Sequence, residues 1–231
     1  MINLTIDPEV RNRWSGAAVL GILEMQNLKT TPLPSTFKQE VATCLSEIRA
    51  KGEAVFDEPA IRRMRATFKA MPDMDPTRYR PASEALIRRF LTKDFFRINP
   101  IVDINNLLSV RSRVPLGVYD GERLHSACTY RTGAPGESYM TISEASKSAE
   151  GKLVLADPAG VVGSPVSDSG RAIIRDDTSH AVMIAYLPFD TSIDDAYHLC
   201  EMFEAEFLRY LGGESLQRVV MTSDASPKGG R

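Results

Sequence analysis

An α+β fold is predicted by three features of the 231-residue sequence. Helical apolar stripes are concentrated between residues 36 and 111, short β-like runs begin at Pro115, and a single long stripe at 193–211 closes the chain. Helices and strands are therefore segregated rather than alternating, which argues against a parallel, doubly wound sheet.

In chain order, residues 15–28 (SGAAVLGILEMQNL) read as an early buried strand, a short apolar run that could also be helical. Residues 36–51 place Phe37, Val41, Cys44, Leu45 and Ile48 three and four apart, and Gly52 stops that helix. A second helix over 59–70 carries Ile61, Met64 and Phe68 on one face, with Arg62, Arg63, Arg65 and Lys69 elsewhere. Prolines and aspartates make 71–80 a loop, and Ser83 is a natural N-cap for the short helix EALIRRFL. A further short helix covers 102–111. The runs LGVYD, SACTYR, YMTI, KLVLAD, GVVGS and HAVMIAYLP then predict strands, with Asp157-Pro158-Ala159-Gly160 as the turn between two of them. In the closing helix, Ser192 and Asp195 form a capping pair, and Gly212-Gly213 end the stripe of Ile193, Ala196, Cys200, Phe203, Phe207 and Leu211. The expected organisation is an N-terminal strand and helical extension over 1–77, a β-rich body over 78–222 and a flexible tail over 223–231.

With 43% hydrophobic and 25% charged residues the composition is globular, sufficient for one large core or a core with a helical extension. Apolar stretches such as 17–23 are too short to span a bilayer, and the N-terminus has acids and no apolar run of signal-peptide length, so neither membrane association nor secretion is expected. Cys44, Cys128 and Cys200 are scattered and odd in number, which fits reduced thiols in the cytoplasm. The net charge of −2 conceals an asymmetry: residues 61–113 hold 12 Lys/Arg against 5 Asp/Glu, and residues 114–231 hold 10 against 17. Such a basic block can meet phosphates, or it can be a helical face whose arginines pair with carboxylates elsewhere in the fold.

Simple chemistry motifs leave the function open. His125, His180 and His198 lie far apart and outside any metal-ligand spacing, so no metal is expected. No phosphate loop, nucleophile elbow or dinucleotide fingerprint occurs, and no cofactor is expected.

The informative stretch runs from Arg78 to about Pro188: RYRPASEALIRRFL, then FRINPIVDINNLLSVRSRVPLGVYD, then GKLVLADPAGVVGS and DDTSHAVMIAYLP. In order, spacing and flanking texture it resembles the B3/B4 domain, the tRNA-binding and editing domain of the phenylalanyl-tRNA synthetase β subunit, and in its helical lead-in it resembles freestanding B3/B4 proteins. Val102-Asp103-x-x-Asn106 is similar to the family helix whose asparagine faces the amino-acid pocket. The segment from Pro115 through Gly117 and Tyr119 to Asp120 is similar to the pocket strand, and Gly160 through Gly163, Ser164 and Pro165 to the glycine loop. Two positions depart: Gly117 stands where the synthetase has its pocket histidine, and Pro165 where it has the glutamate that reads a tyrosine hydroxyl.

The resemblance implies a β-rich B3/B4 core that hydrolyses the ester of a mischarged aminoacyl-tRNA. Such a site must hold the acyl group, orient one water and stabilise an oxyanion. Asn106 is the candidate for the α-amino group or water, the Gly163-Ser164 backbone for the oxyanion, and Pro115, Gly117, Tyr119, Gly160, Gly163 and Ser167 for the pocket wall. Asp168, within the polar cluster Ser167-Asp168-Ser169, is read as a water or amine contact, the other reading being an Asx-type turn. Asp103 and Asp120 are read as local caps. Arg88, Arg89, Arg97 and Arg111 are the expected positioning contacts to the RNA backbone. The competing reading is a non-catalytic module of the same fold that binds RNA or an amino acid.

Overall fold

The computed structural model describes residues 1–13, 18–71, 74–95, 97–223 and 225–230. The elements are β1 (Asn3–Ile6), α1 (Pro8–Arg13), β2 (Val19–Gln26), α2 (Ser35–Lys51), α3 (Pro59–Ala70), α4 (Ala82–Thr92), α5 (Pro100–Ser112), β3 (Leu116–Asp120), β4 (Ala127–Thr132), β5 (Ser138–Met140), β6 (Ser146–Ser148), β7 (Leu153–Asp157), β8 (Gly160–Gly163), β9 (Ala181–Leu187), α6 (Ile193–Leu211), β10 (Glu214–Thr222) and β11 (Ala225–Gly230). The fold is α+β.

A five-stranded antiparallel sheet, ordered β11-β10-β2-β9-β3, forms the middle of the molecule. Its two central strands sort their side chains with the two-residue period of a strand. On β2, Val19, Leu23 and Met25 enter one core with Phe37, Ile48, Phe90, Ile104, Phe203 and Phe207 of the helices. Leu20 and Ile22 enter a second core with Leu4, Cys128, Tyr130, Leu153, Leu155 and Val162. The β9 strand divides likewise, Met183 and Ala185 to the helices, Val182, Ile184 and Tyr186 to the other side. That other side is a four-stranded sheet, β1-β4-β7-β8, parallel only between β1 and β4. The result is three layers: helices, sheet, sheet.

Most predicted elements fall where the periodicity places them, and α6 spans Ile193–Leu211 with Ser192 as its cap, the hydroxyl accepting from Asp195 N at 3.1 Å. Residues 18–28 resolve in favour of strand, and 15–17 lie outside the described residues. Ser83 is no N-cap: Pro81 precedes α4, and the Ser83 hydroxyl instead donates to Arg113 O at 3.0 Å, tying α4 to the end of α5. Residues 225–230, read as part of a flexible tail, pair antiparallel with β10, while 224 and 231 lie outside the described residues. The β10 strand itself has no clear signature because most of its residues stay half-exposed, so its apolar alternation is weak.

A buried polar knot closes one end of the sheets. The Glu24 side chain is fully buried, and its Oε2 accepts from Ile2 N at 2.8 Å and Gln217 Nε2 at 2.6 Å. His180 Nε2 lies 2.9 Å from Glu24 Oε1 while its Nδ1 lies 2.9 Å from Glu122. Breaking a buried pair costs more than the pair contributes, because one charge is left stranded. His180→Ala is therefore expected to cost about 2–4 kcal/mol in urea unfolding, whereas His198→Ala, on an exposed helix face, should fall within about 0.5 kcal/mol of wild type.

Candidate active site

The β3 strand is an edge of the five-stranded sheet, and a cavity of about 470 Å³ lies over that edge. Each wall has a local cause. Helix α4 presents Ala82, Ala85, Leu86 and Arg89 at helical spacing, and α5 presents Val102, Asn105 and Asn106 in the same way. Leu116 and Val118 of β3 alternate onto the cavity, and the 166–174 segment supplies the remaining wall. Asn99 caps α5, its Oδ1 accepting from Ile101 N at 2.9 Å, and its amide donates to Arg175 O at 3.2 Å, so helix and segment are joined. At the mouth, Ile98 and Ile142 are 59% and 61% exposed, the apolar rim of an otherwise aliphatic hollow.

The polar groups of this hollow are few and close together. The Tyr119 hydroxyl donates to Asp168 Oδ1 at 2.6 Å and lies 3.1 Å from the Tyr186 hydroxyl. Two glycines make room for this arrangement. A Cβ at Gly117 would stand 2.3 Å from the Tyr119 hydroxyl oxygen, and one at Gly163 would stand 2.2 Å from it and 2.3 Å from Asp168 Oδ1. The Tyr119 hydroxyl, two residues on, thus fills the space that a side chain at 117 would take.

Asp168 is half-buried and reached through the cavity. Burial pushes its carboxyl up to about 7, against the opposing pull of the Tyr119 hydrogen bond. The Tyr119 and Tyr186 hydroxyls are pushed up as well, first by burial and then by the neighbouring Asp168 charge, so both remain protonated donors. The backbone around Asp168 is pinned: Ile142 N donates to Asp168 O at 3.3 Å and Ser169 N to Val162 O at 2.8 Å. Across the cavity, Asn105 is 5% exposed, its Nδ2 donates to Leu116 O at 3.2 Å, and its Oδ1 has no hydrogen-bond partner. A buried carbonyl oxygen without a donor is costly, and at a cavity wall it is a ready acceptor for a ligand.

The candidate residues divide between the cavity and its support. Asn106, Asp168 and Tyr119 line the cavity together, 49 residues of sequence separating the last two. Ser164 does not line it: its hydroxyl accepts from Val166 N and Ser167 N at 3.2 and 3.1 Å and so shapes a local turn. Ser167 faces the Tyr139 hydroxyl, 2.9 Å away, and Pro115 O accepts from Tyr186 N at 3.0 Å. Gly160 lies at the β7–β8 turn, its carbonyl accepting from Arg171, and Gly163 contributes only its missing side chain. Asp103 caps Ile98 N and Asp120 caps Glu122 N. Asn105 and Arg89 at the cavity wall are the residues the motif does not single out in that role. The α5 spacing that brings Asn106 inward brings its neighbour in too, and Asn105 is the more buried of the two and the one whose amide bonds to the β3 backbone.

Much of the basic block is paired with carboxylates. Arg88 contacts Glu84 and Glu53 and lies 3.9 Å above the Phe56 ring, Arg97 lies 3.5 Å from Asp103, and Arg111 lies 2.8 Å from Glu40. Arg89 is set apart by its position at the cavity.

An N-terminal fragment of the phenylalanyl-tRNA synthetase β subunit from Pyrococcus horikoshii is similar in structure, with a TM-score of 0.46 and 11% identity. That alignment covers 96% of this chain and 54% of the fragment, so the chain spans about half of that fragment's length. No curated protein matches the sequence. The sequence model of the B3/4 domain matches residues 65–206, well over half of the chain, and the chain belongs to the B3/4 domain family.

Proposed function

We propose that the chain hydrolyses aminoacyl esters at the 3′ end of mischarged tRNA, with Asp168 as general base. The observation that carries this reading is a carboxyl poised near neutrality, hydrogen-bonded to Tyr119 and facing an aliphatic cavity of ligand size. Membership of the B3/4 family and the resemblance of the Asn106 helix to the synthetase's editing pocket supply the substrate class.

In this reading the amino-acid side chain occupies the aliphatic hollow and its ammonium donates to the vacant Asn105 Oδ1. Ionised Asp168 accepts a proton from water as the water oxygen bonds to the ester carbonyl carbon. The carbonyl electron pair moves onto oxygen, and the Asn106 amide donates to that oxyanion. Collapse breaks the bond to the ribose oxygen, which takes the proton back from Asp168. Tyr119 holds the carboxylate in position throughout. The non-catalytic alternative is favoured by one feature, the loss of the family's histidine and glutamate at Gly117 and Pro165.

The deciding experiment is deacylation of a panel of tRNAs, each charged with a correct or an incorrect amino acid. Release above the spontaneous rate is expected for at least one mischarged member, falling about 100-fold or more in Asp168→Asn. Absence of release, together with salt-sensitive tRNA binding, would establish the non-catalytic module instead. Because the base must be ionised, kcat/KM should rise with pH through an inflection near 7 and then level off.

Stability carries the same group in the opposite sense. A folded carboxyl pKa of about 7 lies above its unfolded value, so the folded state binds more protons between roughly pH 4 and 7. Wild-type stability should therefore fall across that window on this account. Asp168→Asn keeps an acceptor for Tyr119 and removes the fall. It should match wild type near pH 4 and exceed it by about 2–3 kcal/mol at pH 8 in urea titrations.

A further inference from the structure

Among the described residues, the arginines of intermediate exposure all meet a carboxylate. Arg65 and Arg88 meet Glu84, Arg113 meets Glu58, Arg131 meets Glu137, Arg171 meets Asp157 and Arg218 meets Glu204. The two lysines of the same exposure, Lys147 and Lys152, meet none. Lys152 Nζ donates to the carbonyls of Ser148 and Glu150 at 3.1 and 3.3 Å and lies 5.0 Å from the Tyr79 ring centroid. Lys147 Nζ has no hydrogen-bond partner, and burial together with the Lys152 charge lowers its pKa.

Lys147 and Lys152 line one narrow cleft together with Tyr79, Tyr139, Ser164 and Val166. Lys147 pairs with Tyr139 across the β5–β6 hairpin, so both side chains leave the same face, and the Tyr139 hydroxyl already reaches Ser164 and Ser167. The same hairpin carries Ile142 onto the cavity rim, and Val166 lines cleft and cavity alike. An uncompensated, partly desolvated cation pair is unfavourable in the free protein, and it is relieved by an anion.

We propose that Lys147 and Lys152 bind a backbone phosphate of the RNA strand whose 3′ end enters the cavity beside them. The choice of RNA rests on the hydrolase reading of that cavity, whereas the anion chemistry rests on the lysines alone. Point-charge ammonium groups flanked by hydroxyl donors suit a phosphate contact that positions the strand without reading its bases.

The test uses a labelled, uncharged single-stranded RNA ending in CCA, titrated by fluorescence anisotropy over a salt series. Lys147→Gln and Lys152→Gln should each weaken binding about three- to tenfold and lower the salt slope by about one. Lys147→Arg should restore most of the affinity. On the unaltered protein, RNA should also protect both amines from acetylation, a readout that does not depend on how a variant folds. Wild-type affinity and slope in both Gln variants would overturn the proposal, and so would the absence of binding by wild type. Acyl release is scored separately: lysine-dependent RNA binding without release keeps the phosphate cleft and rejects the hydrolase.

Discussion

The pairing of β2 with β9 is the constraint from which the architecture follows. Both strands are buried on both faces, so neither can tolerate solvent on either side. A strand of that kind needs a partner layer above and below it. The helices α2, α4, α5 and α6 meet one requirement, and the β1-β4-β7-β8 sheet meets the other. Once that pair is fixed at the centre, β3 is left at an edge, and the cavity forms where helix and loop cover the edge without filling it.

Electrostatics are arranged in two contrasting ways. Over most of the surface the arginines are neutralised close to home, and such pairs contribute little to stability while fixing geometry. Glu84 alone accepts from Arg65 and Arg88, joining α3 to α4. At the cavity the opposite holds: Asp168 faces aliphatic side chains and has a tyrosine rather than a cation as its partner. A cation there would hold the carboxyl well below neutrality, while a neutral phenol orients it and leaves its proton affinity high. The folded state bears the cost of that environment, as functional sites commonly do.

The elements were legible in the sequence wherever burial is one-sided and long. The stripe of Cys200, Phe203, Phe207 and Leu211 forms one face of α6, and Asn106 of α5 stands at a cavity wall. What escaped was whatever depends on residues meeting from distant segments. Arg111 and Arg88 belong to a block that looks unbalanced by itself, because Glu40 and Glu53, which balance it, come from an earlier helix and the turn after it. Asp168 was legible as a water or amine contact and Tyr119 as a pocket-wall residue through the family resemblance, but the hydrogen bond that joins them across 49 residues was not. Asn105 and Asn106 are indistinguishable by type, and the difference lies in burial and in the bond from Asn105 Nδ2 to Leu116 O. The β10 and β11 strands escaped because half-exposed pairing leaves little imprint on composition.

The fit of Tyr119 against Gly117 and Gly163 bears on how this site can change over generations. Both positions are empty because one hydroxyl occupies the space that either side chain would need. A side chain at 117 or 163 would displace the Tyr119 hydroxyl and with it the hydrogen bond to Asp168, and a shorter residue at 119 would leave a gap beside Asp168. Substitutions at 117, 119 and 163 are therefore coupled.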